Sequence, residues 1–192
     1  MKWKTTVKHA IGKFWETKWN SEKTEKSTIK FLDIKHSPFG KPHQICKNVS
    51  NTVLDVTKAE VKAKLVTRTY TLQHDKSKFS GHKESDLCTL CGLCKEDTKH
   101  FLLECTALKD IRDKHLLKIE QYIRNNYSDS ESIIDRLEKE DVFLQFILDS
   151  SLAKLHHIAK LKCHNIRELE CLTRFFCNGL HTKRSALLLR KK

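Results

Sequence analysis

The chain has 192 residues, 37 Lys and Arg against 24 Asp and Glu, a net charge of +13 and eight cysteines. That is enough for one domain or two small ones. With 32% charged residues and no apolar run near the roughly 20 that a spanning helix needs, no membrane-spanning helix is expected.

The charge is unevenly spread. Residues 1–47 carry eleven Lys against four acids, and residues 149–192 carry ten basic residues against three acids. The segment between is near neutral, with 106–148 slightly acidic. Basic arms of this kind point to a polyanionic partner, most plausibly nucleic acid. The start, MKWKTTVKHA, has no apolar h-region. The expected location is therefore intracellular, in nucleus or cytoplasm and not secreted. In such a reducing compartment, cysteines are free, catalytic or metal-bound rather than disulfide-bonded.

Five Gly and two Pro leave the chain sparsely punctuated, and the expected fold is mainly α. Trp3, Val7, Ala10, Ile11, Phe14 and Trp19 recur at three- and four-residue steps, which predicts an amphipathic helix with lysines on its other face. NSEKTEKST ends it. Residues 29–35, IKFLDIK, form a candidate strand, and HSPFGKPH is the clearest loop. Thr57-Lys-Ala-Glu60 reads as a capping box that opens a helix with Val61, Leu65, Thr69 and Leu72 on one face. Residues 74–86 read as a loop. Further on, Leu108, Ile111, His115, Ile119 and Tyr122 mark a second helix, and residues 132–149 a third that ends in the apolar run FLQFIL. The last helix runs from about Leu152 to Leu189 along Leu155, Ile158, Leu161, Leu169, Leu172, Phe176, Leu180 and Leu187, weakened at Gly179 by about 1 kcal/mol. The expected organisation is a basic Trp-containing helical region (1–35), a linker (36–56), a capped helix with a finger (57–108), and a helical region with a basic tail (109–192). A helical bundle carrying a small Cys3His knuckle, with a short strand pair near the knuckle or at 29–35, is the predicted architecture.

The chemistry concentrates in CTLCGLCKEDTKHFLLEC. Cys88-x2-Cys91 can turn two thiolates onto one ion, and His100-x4-Cys105 can close the tetrahedron. Closed Cys3His sets are common structural zinc sites, and the short spacing supplies convergence without long-range folding. Cys94 is an alternative ligand: Cys91, Cys94, His100 and Cys105 also form a set. Gly92 directly follows Cys91, where a knuckle needs a permissive backbone, and this favours the Cys88/Cys91 pair. A catalytic zinc would keep an open position. Four ligands within eighteen residues suit a closed structural site with one Zn2+, and Glu96, Asp97 and Glu104 read as exposed charges. Cys163, Cys171, Cys177 and His181 lack a two-residue knuckle and read as packing residues.

The stretch AEVKAKLVTRTYTLQHDKSKFS followed by LCTLCGLCKEDTKHFLLECTAL resembles the zinc-binding tail of non-LTR retrotransposon reverse transcriptases. The resemblance is strong over about 57–108. It extends, more weakly, to RELECLTRFFCNGLHTKR and FWETKWNSEKTEK. It implies Cys88, Cys91, His100 and Cys105 as ligands. It also implies a module that grips nucleic acid, RNA or DNA, and forms no bonds itself. Two positions depart from the family: Cys94 adds a ligand alternative, and Arg68 stands where the family often has glycine. No polymerase, endonuclease or ribonuclease H carboxylate set is recognisable, so the chain is not expected to be an enzyme. The candidate phosphate contacts are Lys2, Lys4, Lys8, Lys13, Lys18, Lys183, Arg184, Arg190, Lys191 and Lys192. Trp3, Trp15 and Trp19 could stack on bases, although core packing is the expected role of those near the apolar stripe. Two other readings stay open: a zinc-stapled structural or protein-interaction bundle, and a remnant without function.

Overall fold

The computed structural model describes residues 2–22, 25–29, 31–32, 40, 42–47, 49–150 and 163–191. These residues are mainly helical, in eight α-helices: α1 (Lys2–Glu22), α2 (Gln44–Lys47), α3 (Val53–Val66), α4 (Gln73–Phe79), α5 (Lys109–Asn126), α6 (Ser130–Leu137), α7 (Glu140–Leu148) and α8 (Cys163–Leu189). No strand forms among the described residues. The expected pair near the knuckle is reduced to one antiparallel bridge between Leu87 and Lys95. Residues 27–29 make a 3-10 turn, and 33–35 lie outside the described residues, as do Leu155, Ile158 and Leu161.

Helix α8 is central, with α5 and α3 packed along it and α7 and the finger also against it. Their shared core contains Leu65, Leu72, Phe101, Leu102, Leu108, Ile123, Phe146, Ile147, Leu148, Phe176 and Leu180, all fully buried. Gly179 has a structural reason: a Cβ there would stand 2.5 Å from Nε2 of His115 on α5. The small residue lets the two helices approach, which offsets its poor propensity.

Several helix boundaries differ from those the sequence pattern predicts. α3 begins four residues before Thr57. Thr52 is its N-cap, and its hydroxyl accepts from the Asp55 N–H at 3.3 Å. Thr57 is inside the helix and donates to the Val53 carbonyl, while Glu60 pairs with Lys64 at 2.6 Å. The box therefore had the right residue types one turn too late. At the other end, Arg68 adopts a φ of 56°. Its N–H donates to the Leu65 carbonyl, and the Thr69 N–H donates to that of Lys64, a Schellman closure whose turning residue is ordinarily glycine.

Residues 74–79, expected as the start of a loop, instead belong to α4. The Asp75 carboxylate accepts the Leu72 N–H at 3.1 Å and starts the helix. The helix expected over 132–149 is two, because a continuous one would carry Glu140 and Asp141 onto the stripe of Ile133 and Leu137. The break at Lys139 (ψ 113°) instead puts both acids in the first turn of α7, where the helix dipole favours them.

Helix α1 contributes nothing to the buried core. Trp3, Ile11, Phe14 and Trp15 are exposed, so core packing is not the role of Trp3, and Trp19, the other tryptophan of the stripe, is half-buried. Nor do the lysines occupy only the opposite face. Lys4, Lys8, Ile11, Trp15 and Lys18 follow four- and three-residue steps along one stripe, beside the stripe of Trp3, Val7, Ala10 and Phe14.

Candidate metal centre

The loop after α4 is folded back by its own backbone. The Cys88 N–H donates to the Cys94 carbonyl at 2.7 Å and the Gly92 N–H to the Cys88 carbonyl at 2.8 Å. Gly92 turns the chain at a φ of 69°, the conformation glycine adopts without strain. Cys88 and Cys91 thereby face inward. Cys94 closes the loop through its carbonyl and is itself exposed.

His100 and Cys105 come from the opposite side, on a π-helical turn over His100–Glu104 in which the Cys105 N–H reaches the His100 carbonyl at 2.8 Å. The turn matters. In an α-helix, residues five apart diverge by about 140° around the axis. The wider π winding brings these two back to one side, as such turns often do at functional sites. Arg112 holds the turn's end by donating to the carbonyls of Leu102 at 2.9 Å and Cys105 at 2.7 Å. The Asp97 carboxylate accepts the His100 N–H at 3.0 Å.

The ligand atoms of Cys88, Cys91, His100 and Cys105 all lie within 4.8 Å of one another, a group that could hold a metal ion. Cys94 is not part of it. Cys88 Sγ is 3.7 Å from Cys105 Sγ, and Cys91 Sγ is 3.3 Å from His100 Nε2. Tetrahedral thiolates at about 2.3 Å from an ion stand roughly 3.8 Å apart, so the residues fit a tetrahedral ion. The cysteines are unbridged. Nδ1 of His100 lies 3.5 Å from the Glu104 carboxylate, with no hydrogen-bond partner among the described residues.

The thiols differ. Burial works against ionisation of Cys91. The Leu93 N–H, Cys88, His100 and the Cys94 N–H outweigh it and bring that thiol down to about 7. Burial, reinforced by Cys88, pushes Cys105 up to about 12, and burial raises Cys88 as well. Two of the three thiols thus resist ionisation until a cation offsets their charge.

Around this cluster stand residues to which the sequence assigned no structural part in it. Glu96, read as exposed, is only 1% exposed. Its carboxylate accepts both arms of Arg184 on α8 at 2.9 Å and the Gln73 N–H at 2.8 Å. Arg184, expected as a phosphate contact, instead has its guanidinium buried and paired with Glu96. Tyr70 stacks on Phe101 and shares a 2.7 Å hydrogen bond with His181. Burial lowers His181's pKa, and Arg184 lowers it further. The Lys191 ammonium donates to the Thr89 and Leu90 carbonyls, so α8 also grips the knuckle at its end. Lys4, Lys8, Lys13, Lys18, Lys183 and Arg190 are exposed. The side chain of Lys2 and all of Lys192 lie outside the described residues.

A second buried polar group joins α3 to α8. Lys62 donates to Glu170 at 2.7 Å and to Thr173 at 2.6 Å, Ser150 donates to the same carboxylate, and Arg174 lies 3.6 Å from both Glu170 and Asp55. The sequence did carry a trace of it: Glu170, Thr173, Arg174 and Cys177 recur at helical steps beside the apolar stripe. Cys177 is buried, which pushes its thiol up to about 12, in keeping with the packing role expected of it.

The fold and the cluster define a helical protein organised around a Cys3His group that could hold a metal ion. No protein-family model, curated protein or solved structure matches the chain. No described helix is long and apolar enough to cross a membrane.

Proposed function

We propose that the chain is a zinc-binding, nucleic-acid-binding module without catalytic activity of its own, of the kind found at the tail of non-LTR retrotransposon reverse transcriptases, working in nucleus or cytoplasm. One structural zinc is held by Cys88, Cys91, His100 and Cys105. The observation that carries the reading is their convergence within 4.8 Å, on the four positions that the resemblance implies as ligands. Three thiolates and an imidazole select zinc over hard cations such as Mg2+ and Ca2+. Closed coordination by protein leaves no position for substrate, which argues for a structural ion.

The nucleic-acid half of the proposal rests on charge. The net +13 is concentrated at the two ends, and Lys4, Lys8, Lys13, Lys18, Lys183 and Arg190 are exposed. Binding through such groups releases counterions, so log affinity should fall with log salt at about −0.7 to −0.9 per phosphate contact. Titrating labelled RNA and DNA into the zinc-loaded protein across about 50–200 mM salt tests this. A steep slope with weak sequence preference is expected. Affinity that does not change with salt, or no binding at all, would refute it.

A further inference from the structure

The exposed side of α1 says which nucleic acid this would be. Trp3 is 74% exposed, Phe14 61%, Ile11 53% and Trp15 49%. Large apolar rings left in water are costly unless a partner covers them. Lysines stand among these rings. Lys4, Lys8 and Lys18 share a stripe with Ile11 and Trp15, and the Lys18 ammonium sits 5.3 Å from the centre of the Trp15 ring. Phe14 and Trp15 meet edge to face at 5.5 Å.

We infer that α1 is a binding surface for single-stranded nucleic acid, with Trp3, Phe14 and Trp15 stacking on unpaired bases and Lys4, Lys8 and Lys18 tracking the phosphates. This rests on the polyanion-binding reading above and narrows it. A duplex keeps its bases stacked inside and presents only phosphates and groove edges to a helix surface. Lysines alone would serve such a surface, and the rings would stay in water. A single strand offers a π-face at every base, and stacking tolerates any sequence. Trp3 and Trp15 are twelve residues apart, about 18 Å along the axis, room for roughly five nucleotides at stacked spacing. An anionic lipid surface also attracts basic aromatic helices. Helices that lie in that interface segregate their cations onto the face opposite the apolar one. Here cations and rings share one side.

All three tryptophans lie in α1, so tryptophan fluorescence, excited where the tyrosines do not absorb, reports on this helix alone. The test uses the zinc-loaded full chain with an oligothymidylate, a DNA duplex of the same length and vesicles of anionic phospholipid. Oligothymidylate is expected to quench the fluorescence and to bind more tightly than duplex. The combined Trp3→Ala, Phe14→Ala and Trp15→Ala variant, altered only at exposed positions, is expected to lose roughly tenfold or more in single-strand affinity and to keep its salt-dependent duplex binding. That variant keeps Trp19, and anisotropy of labelled oligonucleotide supplies its affinity. Equal or tighter duplex binding by the wild type, or a variant that binds oligothymidylate as well as wild type, would overturn this inference and leave the broader reading standing. Vesicle binding in preference to oligothymidylate would overturn it in favour of a lipid surface. Failure to bind any nucleic acid would overturn both.

Discussion

Arg184→Ala removes both donors that reach Glu96 at 2.9 Å and leaves that carboxylate, 1% exposed, with the Gln73 N–H, the Cys88 sulfur at 3.9 Å and no countercharge. Unit charges about 3 Å apart attract by roughly 5–6 kcal/mol at an effective dielectric of about 20. Desolvation of both groups takes back much of this in the intact pair, but deleting one partner keeps the other's desolvation cost. The expected loss is about 3–5 kcal/mol, a large share of the roughly 5–15 kcal/mol that holds a domain together. Glu96→Ala should cost a comparable amount, and the double variant should cost less than the sum by about 2–3 kcal/mol, because the second deletion removes the orphaned charge. Urea unfolding of the zinc-loaded proteins, followed by far-UV circular dichroism, measures all three. Losses below about 1 kcal/mol that add without coupling would refute the clamp. If Arg184→Ala also weakened nucleic-acid binding at unchanged stability, Arg184 would be the surface contact the sequence suggested.

Three further changes test the fold. Arg68→Gly should stabilise the protein by about 0.5–1 kcal/mol in the same unfolding assay, since glycine relieves the left-handed φ at a small entropic cost in the unfolded chain. Gly179→Ala should destabilise by about 1–3 kcal/mol despite its better helix propensity, because the new methyl meets His115, and His115→Ala should largely restore the loss. Lys62→Met should cost about 3–5 kcal/mol by leaving Glu170 buried beside only Ser150 and Arg174, and a neutral result would show that the pair is not buried as described.

How much could be read from the sequence depended on distance along the chain. Cys88, Cys91, His100 and Cys105 are close in sequence, so their spacing alone suggested convergence. The π-turn that completes it leaves no such mark. Glu96 and Arg184 are 88 residues apart. Nothing in KEDTKH distinguishes a carboxylate that faces α8 from one that faces water, so Glu96 read as exposed. Lys62 looked like any helical lysine for the same reason. Conversely, α1 read correctly as a helix, but periodicity cannot say whether an apolar stripe finds a partner. Trp3 and Phe14 on that stripe were expected inside and are outside, while Trp19 is half-buried. Boundaries failed where two caps compete, as Thr52 and Thr57 do for α3, or where an acid inside the first turn caps a helix with no capping residue before it, as Asp75 does for α4.

The claim on which the rest depends is that the Cys3His group holds zinc. Native mass spectrometry of the reduced protein, beside its Cys88→Ser and Cys94→Ser variants, tests it most directly. One zinc in the wild type, lost with Cys88 and kept without Cys94, is the predicted result. Wild-type protein that takes up no zinc, or zinc that survives loss of Cys88 and departs with Cys94, would contradict it.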